Sequence, residues 1–577
     1  MSFVRNKEVK TEYDVIVIGA GISGLTSAAL LSRAGLSVGV FEMDTRPGGY
    51  LAGFRRKDFR FDSAIHWLNQ CGPKGLVTRV FDFIGKDHPT ALSQPNIKRY
   101  QGDTYDYQLT DKPDDLKEEF IKRFPHEKKG IERFFKDAKQ LGSAFNDLPA
   151  FSRSLETMNW LQIAAFQMKR LKFALVFLKH IRFTGPEGTV KGLKRYFNDP
   201  EMLKIFGSEE ELLSCLVPIG WAYYGDYQSP PEGGSQVFPE WLDYAVEKMG
   251  NDVYYQCRVE EVLLQNGQAV GVQIDRKGEK FRINAKHVIA AGDVETLYER
   301  MLPESAIPKE VKEKLRNAQL YSSAVTISLG IDCPVEDLGL DDAMLFIVRD
   351  DVKRTEHNAG DPHKAGISVL APSFRDPSLA PAGKGTMTIY CYASFDQDDK
   401  WKTEVDEKGN LKRGEAYKKF KQEFADILID RVEKKIGHDI RSHIEYCDIA
   451  TPITHWRYTG NREGSLMGAR PGKANMQAGI AGHKTAVKNL WLGGHWAELG
   501  GGVPIAVKSG MNAALLVIKE LNPKAYNILA KYVDVKITKE EADKSGVFRN
   551  YDESWIQELT PALKKAERDN TSKEEAS

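Results

Sequence analysis

The chain has 577 residues, with 81 Lys plus Arg against 81 Asp plus Glu. A single hydrophobic core stops growing at about 250–300 residues, so this length predicts two or more domains. The charge balance excludes a global field that would draw the chain to nucleic acid. The scattered Cys71, Cys215, Cys257, Cys333, Cys391 and Cys447, with no CxxC pair, predict reduced thiols in a cytoplasmic setting and no metal framework.

The N-terminal MSFVRNKEVKTEYD has no apolar stretch of the secretory kind. Val15 to Ile18 then predict a strand that enters Gly19-Ala20-Gly21-Ile22-Ser23-Gly24. A helix of small residues follows, and a second strand, Val38 to Phe41, ends on Glu42. This is a dinucleotide-binding fingerprint in its full strand–turn–helix–strand context. Gly19 permits the tight turn, Gly21 lets the backbone approach a pyrophosphate, and Gly24 lets the helix pack close to the sheet. Glu42 lies where an acid accepts hydrogen bonds from a ribose diol and repels a 2′-phosphate. Arg46-Pro47-Gly48-Gly49 follows directly. Arg46, Gly48 and Gly49 are therefore further candidate cofactor residues, with a plain turn as the alternative.

Between Trp160 and Phe183 there is no acidic residue, while Lys169, Arg170, Lys172, Lys179 and Arg182 are basic. Lys169, Lys172 and Lys179 share one helical face, and Trp160, Ala164, Leu171, Leu175 and Leu178 share another. The pattern predicts either a helix lying on a membrane surface or an amphipathic helix packed on the protein. Its internal charges exclude a membrane-spanning helix. Further on, strands are predicted over Val259 to Leu264, Ala269 to Ile274, Phe281 to Ile283 and His287 to Ala291, with an Asn266-Gly267 turn. Ala324 to Gly330 and Thr386 to Ser394 read as strands, Asp396 to Arg413 as a surface loop and Glu415 to Lys435 as a helix. A second glycine-rich turn, Gly493-Gly494-His495-Trp496-Ala497-Glu498-Leu499-Gly500-Gly501-Gly502-Val503-Pro504, stands between a short strand and a helix of small residues. Lys564 to Ser577 is charged, poor in apolar residues and expected to be disordered.

The paired glycine segments resemble the flavoprotein superfamily of amine oxidases and phytoene desaturases. Gly500 to Pro504, Phe61-Asp62-Ser63-Ala64-Ile65-His66-Trp67 and Thr451-Pro452-Ile453-Thr454 with Arg457-Tyr458 resemble, within it, the phytoene desaturase, carotenoid isomerase and retinol saturase family. This chain departs from that pattern at Ala64, where a glycine is common. Amine oxidases usually carry an acid after the glycine of the C-terminal strand, a place held here by Gly494 or His495. The resemblance implies FAD as cofactor and an α/β fold: a discontinuous Rossmann-type FAD-binding domain over 12–90, 230–300 and 485–525, an α+β substrate domain over 91–229 and 301–484, and a C-terminal extension over 526–577. It implies that Gly494, Gly501, Gly502, Val503 and Pro504 lie near the flavin and Val259 near the adenine. His66 is the candidate catalytic group, with a structural histidine as the alternative. His495 and Glu498 would face the isoalloxazine, and His455, Arg457 and Tyr458 would line the substrate approach.

The implied activity is that of an FAD-dependent oxidoreductase or isomerase that isomerises, desaturates or saturates the C=C bonds of a long apolar polyene, carotenoid- or retinoid-like, held in an apolar tunnel. The implied partners are a polyene or lipid substrate and a membrane surface reached through residues 160–183. A flavin amine oxidase and a non-enzymatic prenyl-binding protein, like the GDP dissociation inhibitors, are the alternatives. No second strand–GxGxxG–helix unit is present for NADPH, which favours redox-neutral isomerisation over a reaction that needs an electron partner.

Overall fold

The computed structural model describes residues 7–555 except 148, 150, 151, 208, 210, 408–410, 481 and 553, and leaves out the side chains of residues 169, 170, 172, 173 and 473. The expected disorder of Lys564 to Ser577 lies outside the described residues. The chain opens with β1 (Glu12–Ile18), α1 (Ile22–Arg33) and β2 (Val38–Phe41). A hairpin, Gly53–Arg56 with Phe59–Asp62, leads to β3 (Asn96–Gln101) and β4 (Asp106–Thr110). A helical block includes α2 (Lys128–Asn146), α3 (Trp160–Ile181) and α4 (Leu212–Tyr223). The chain then returns through α5 (Val237–Lys248) and β5 (Asp252–Tyr254) to β6 (Cys257–Gln265), β7 (Gln268–Arg276) and β8 (Glu279–Ala290). β9 (Ser323–Ile331), β10 (Met344–Ile347), β11 (Ile367–Leu370) and β12 (Gly385–Ala393) precede α6 (Glu415–Ile436) and β13 (Ile444–Ala450). The chain finishes through β14 (Leu490–Leu492), α7 (Val503–Leu521) and α8 (Pro523–Val533).

The first sheet runs β6-β7-β8-β1-β2-β5, with β14 beside the end of β8. β14, β8, β1, β2 and β5 are all parallel to one another. Helices cover both faces of such a sheet, and Val15, Ile16 and Val17 of β1 are accordingly buried without polar alternation. α1 is built from small residues because α7 crosses it closely: a Cβ on Gly510 would lie 2.2 Å from the Ser23 carbonyl oxygen. The two strands expected at Phe281 to Ile283 and His287 to Ala291 are one, β8. It changes partners at Asn284, which pairs with Gly271 of β7 on one side and Glu12 of β1 on the other. The polar Asn284 and Lys286 at that changeover obscured its continuity.

The second sheet runs β13-β9-β12-β11-β10-β3-β4 and is antiparallel except where β10 meets β3. α6 packs Phe424, Leu428 and Val432 into the same core as β9 and β12. The stretch Asp396 to Arg413 is not a plain surface loop. Trp401 is fully buried against Phe420 and Phe424, and its indole N–H donates to the Ser394 carbonyl at 2.9 Å. A short ribbon of Glu404–Val405 with Leu411–Lys412 follows it.

α3 is a helix, as its periodicity predicts, but its apolar stripe points outward. Trp160, Leu161, Met168, Leu171, Leu175 and Leu178 are exposed, while His180 is buried and Phe177 packs edge-on against Phe145. Lys179, expected on an open basic face, pairs with Asp137 of α2 at 2.8 Å. The expected partners on that face, Lys169 and Lys172, lie outside the described side chains. After α8 the chain wraps back over the first sheet's helices. Buried Arg33 pairs with Asp543 at 2.7 Å, and Tyr551 and the Trp555 N–H both bond the Asp87 carboxylate.

Candidate cofactor and active site

The turns at the carboxyl ends of β1, β2, β8 and β14 converge, the place where open parallel sheets bind ligands. Gly19 takes φ +98° and its N–H donates to the Phe41 carbonyl at 2.9 Å, which ties the first turn to the end of β2. A Cβ on Gly24 would sit 2.0 Å from the Gly19 oxygen, so no other residue lets α1 start so close to the turn. Gly21 differs: a Cβ there would have nothing within 4 Å, and α1 begins on it with no side-chain cap. Uncapped N–H groups beside open space form an anion cradle. Gly292, after β8, borders open space in the same way, and its N lies 3.5 Å from the place of a Gly19 Cβ.

The second glycine pair closes on the first. The Gly48 N–H donates to the Ala20 carbonyl at 2.9 Å, and a Gly49 Cβ would lie 3.4 Å from the Gly21 Cα. Arg46 donates to the Gly53 carbonyl, which holds the loop in place. The Glu42 carboxylate accepts from the Ala20 N–H at 2.7 Å and the Asp44 N–H at 2.9 Å, and burial raises its pKa. The Cys257 N–H donates to the Glu42 carbonyl at 2.8 Å, so buried Val259 lies two residues along β6 from the ribose-type acid.

On the far side, the Gly493 N–H donates to Ala290 at 2.8 Å, Ser23 donates to the Gly493 carbonyl, and Ser509 donates to the Gly494 carbonyl at 2.7 Å. Gly501 packs on Met467; Gly502 precedes α7, with Val503 and Pro504 buried in its first turn. Three buried polar atoms beside these turns, His495 Nε2, Trp496 Nε1 and Asp293 Oδ1, have no hydrogen-bond partner among the described residues. Buried polar groups are rarely left so, and this set fits a ligand with both donors and acceptors, as an isoalloxazine and its ribityl chain would supply. Glu498 does not join them. It binds Lys508 at 2.9 Å, Asn512 at 3.2 Å and His483 at 3.4 Å. Burial would raise its pKa, but Lys508 and His483 outweigh that and hold the carboxyl down at about 2.

His66 follows the hairpin and stacks on Tyr390 of β12, ring centroids 5.0 Å apart. Burial, then the neighbouring His455, pushes its pKa down to about 4; burial alone does the same to His455 and His495. All three imidazoles are neutral at pH 7. His455 Nε2 is buried and unpartnered, whereas Tyr458 is exposed beneath Arg457. Thr451 and Thr454 form a capping box on the helix Pro452–Thr459, and Thr451 also bonds the Tyr417 hydroxyl at 2.9 Å. That motif is structural. His66 also lines a cavity of about 50 Å³ between the hairpin and the second sheet, walled by Phe61, Ile65 and Leu370 but also by Arg60, Asp62 and Asp376. It is no apolar tunnel.

Sequence reasoning missed Ala291-Gly292-Asp293, signalled only by small residues at the end of a strand, and Trp496, whose indole reads as core. It also missed a surface meeting of Asp332, Cys333 and His443, whose ligand atoms lie within 4.8 Å of one another. His443 Nδ1 bonds Asp332 at 2.7 Å there, and burial with nearby carboxylates raises the Cys333 thiol pKa.

A family model described as flavin containing amine oxidoreductase matches residues 22–518. The prolycopene isomerase of Daucus carota is 26% identical over 524 residues, covering 88% of this chain and 80% of that protein. The all-trans-retinol 13,14-reductase of Danio rerio is 26% identical over 521 residues, covering 84% and 83%. Among solved structures, cyclohexylamine oxidase from Brevibacterium oxydans superposes with a TM-score of 0.52 at 15% identity, covering 88% of this chain and 99% of that one. An oxidoreductase from Methanosarcina mazei gives 0.52 at 18% identity, covering 86% and 98%. These last two establish a shared fold.

Proposed function

Because the chain belongs to the flavin-containing amine oxidoreductase family, and is an FAD-dependent oxidoreductase, we propose that it rearranges the double bonds of a long, apolar, carotenoid- or retinoid-like polyene. The observation that carries this reading is the extent of its likeness to proteins named for such substrates. The prolycopene isomerase and retinol reductase matches span 88% and 84% of the chain, well beyond the cofactor turns. Part of the same proposal is the division into the cofactor and substrate domains expected from the sequence, in a cytoplasmic protein associated peripherally with a membrane. Redox-neutral isomerisation is favoured over saturation or desaturation.

The bound flavin supplies the two-electron chemistry. Gly21, Gly292 and the first N–H groups of α1 would hold the pyrophosphate, and Glu42 the adenine ribose. Trp496 would offer its unpartnered indole N–H, and His495 its unpartnered Nε2, to the ring system. Neutral His66 and His455 suit an apolar substrate, because a buried cation beside a hydrocarbon would lack both solvent and counter-charge. The test is stoichiometric. The holoenzyme is reduced once under anaerobic conditions and given excess poly-cis lycopene. Many turnovers per flavin without an added donor or acceptor support isomerisation; a single turnover that reoxidises the flavin sinks it and leaves a saturase, and turnover seen only with oxidised flavin leaves a desaturase.

We also propose that the substrate is reached from a membrane surface on which α3 lies. No helix among the described residues is long and apolar enough to cross a bilayer. The outward residues Leu161, Ala164, Met168, Leu171, Leu175 and Leu178 recur every three and four positions, a continuous apolar stripe. Such a stripe also suits a second helix. Trp160 to Phe183 carries no acid, so the same helix of a second copy has nothing to pair with its lysines and arginines, whereas an anionic surface attracts a basic segment of this kind.

A further inference from the structure

The meeting of Asp332, Cys333 and His443 has no part in the cofactor cradle and follows from the topology of the second sheet. β9 ends at Ile331, and β13, its antiparallel neighbour and an edge strand of that sheet, starts at Ile444. The residues just beyond those ends therefore face each other. Ile331 opposes Ile444 out of step with the Gly330–Tyr446 pair, an irregularity of the kind that re-aims side chains where a ladder ends. The Asp332 N–H donates to the His443 carbonyl, and the His443 N–H donates to the Ile440 carbonyl, both at 3.0 Å. The backbone that carries the three side chains is thus fixed on both strands without any help from the side chains themselves.

Their chemistry is that of a metal donor set. One thiol, one imidazole and one carboxylate each offer an atom within 4.8 Å of the other two. Cys333 and His443 are half-buried and Asp332 is exposed, so an ion can enter from solvent. Thiolate with imidazole favours zinc-type cations over magnesium or calcium, which take oxygen ligands. Zinc bonds of about 2.0–2.3 Å set ligand atoms about 3.3–3.7 Å apart around a tetrahedron, a spacing that small side-chain rotations reach here. The 2.7 Å hydrogen bond between His443 Nδ1 and Asp332 would open slightly to admit the ion. An ordinary surface pair accounts for that bond but not for the thiol beside it.

The charges agree. An ionised Asp332 and a Cys333 thiolate match the two charges of the cation. Burial, then Asp332 and Asp337, raises the Cys333 thiol pKa, and the potential that opposes a bare thiolate is one that attracts a dication. Arg441, two residues before His443, is directed elsewhere: it pairs with Asp426 at 3.1 Å and Asp430 at 2.6 Å.

We propose that Asp332, Cys333 and His443 bind one zinc-type divalent cation, with the fourth position held by water, and so clasp the edge strand β13 to β9. As the sulfur–metal bond forms, the Cys333 thiol gives its proton to solvent, and no electron is transferred. His443 follows Asp332 by 111 positions, so no short ligand spacing announces the site in the sequence. The inference is independent of the polyene reading.

The test uses tag-free, flavin-loaded protein, stripped with a chelator and kept reduced. It is titrated with zinc against a chromophoric chelator, and with cobalt(II) followed by absorption. One equivalent of zinc should bind, and cobalt should give intense tetrahedral bands to the red of the flavin absorption. Cys333→Ser should remove those bands and weaken zinc at least tenfold. Asp332→Asn and His443→Gln should each weaken zinc about tenfold, with flavin content intact. Wild-type protein that takes up no zinc at micromolar concentration would overturn the inference. So would zinc binding that survives Cys333→Ser, which would place the ion elsewhere, for instance at Cys447, the other cysteine that is not fully buried. The wild-type cobalt spectrum decides the matter without any variant: weak octahedral bands would mean that no thiolate binds the ion.

Discussion

Replacing Leu171, Leu175 and Leu178 of α3 together by serine should release the protein from membranes without harming its fold. The three side chains are 59%, 58% and 55% exposed in the protein. Fully burying a leucine contributes about 1.5–3 kcal/mol, so the exposed part of each has about 1 kcal/mol to gain from the acyl boundary. The three together amount to about 3 kcal/mol, a roughly 150-fold change in partition coefficient. Surface cations add about 1 kcal/mol each toward anionic lipid. Arg182 is exposed, with its guanidinium over the Phe183 ring, and can do so, while Lys179 already faces Asp137 and contributes less. The assay is flotation with phosphatidylglycerol-containing and neutral vesicles at two salt concentrations. Because the replaced groups lie outside the core, the thermal midpoint should hold or rise. Wild-type protein that floats with neither vesicle, or a triple variant that floats as well as wild type, would refute the reasoning. Sedimentation of the lipid-free protein separates the competing case: a dimer that the triple substitution dissolves would assign the stripe to a second copy.

Gly21→Val should give a folded but colourless protein, since the new side chain enters open space where the pyrophosphate must lie; full flavin absorbance after purification would contradict the cradle. Glu42→Ala should weaken FAD by about 1.5–3 kcal/mol, the range for hydrogen bonds to a charged group, measured by flavin fluorescence on dilution. His66, His455 and His495 have folded pKa values near 4, below the 6.5 of a free imidazole. Below pH 6.5 the unfolded chain therefore binds more protons, so their contribution is whole above that pH and is lost as pH falls toward 4. At pH 5 the loss is on the order of 1–2 kcal/mol for each histidine. Thermal midpoints flat from pH 7 to 5 would mean these rings are not buried neutral.

The geometry of the first glycine turn was legible because each glycine answers a local demand that short sequence carries: a turn at Gly19, an open approach at Gly21, a close packing at Gly24. The direction of α3 was not. Periodicity reports that a helix has an apolar face, but whether that face meets the protein or the outside depends on what the rest of the surface offers it. Here Val176, Phe177 and His180 take the inward side instead. Arg60 was hidden for a similar reason. In a strand reading Phe-Arg-Phe-Asp the arginine occupies an outward register, and it is covered only when the second sheet, most of whose strands lie more than 250 positions later, packs against the hairpin. His66 was placed by motif, yet its stacking partner Tyr390 comes from a strand with no local signal of that meeting.

The order of the parallel sheet has a consequence for how the protein is made. Its five parallel strands come from chain positions as far apart as Glu12 and Leu492, and the segment that locks Arg33 ends still later, near Asn550. At about 5–20 residues per second, the ribosome delivers β14 roughly half a minute to a minute and a half after β1. Throughout that interval α1 lacks α7, the helix against which Ser23 and the glycine turn are packed. The nascent chain thus completes its second sheet before its first. Flavin capture through the proposed cradle is then expected only when translation is all but finished, and a message truncated before α7 should yield a polypeptide without bound flavin, which absorbance of the purified fragment would check.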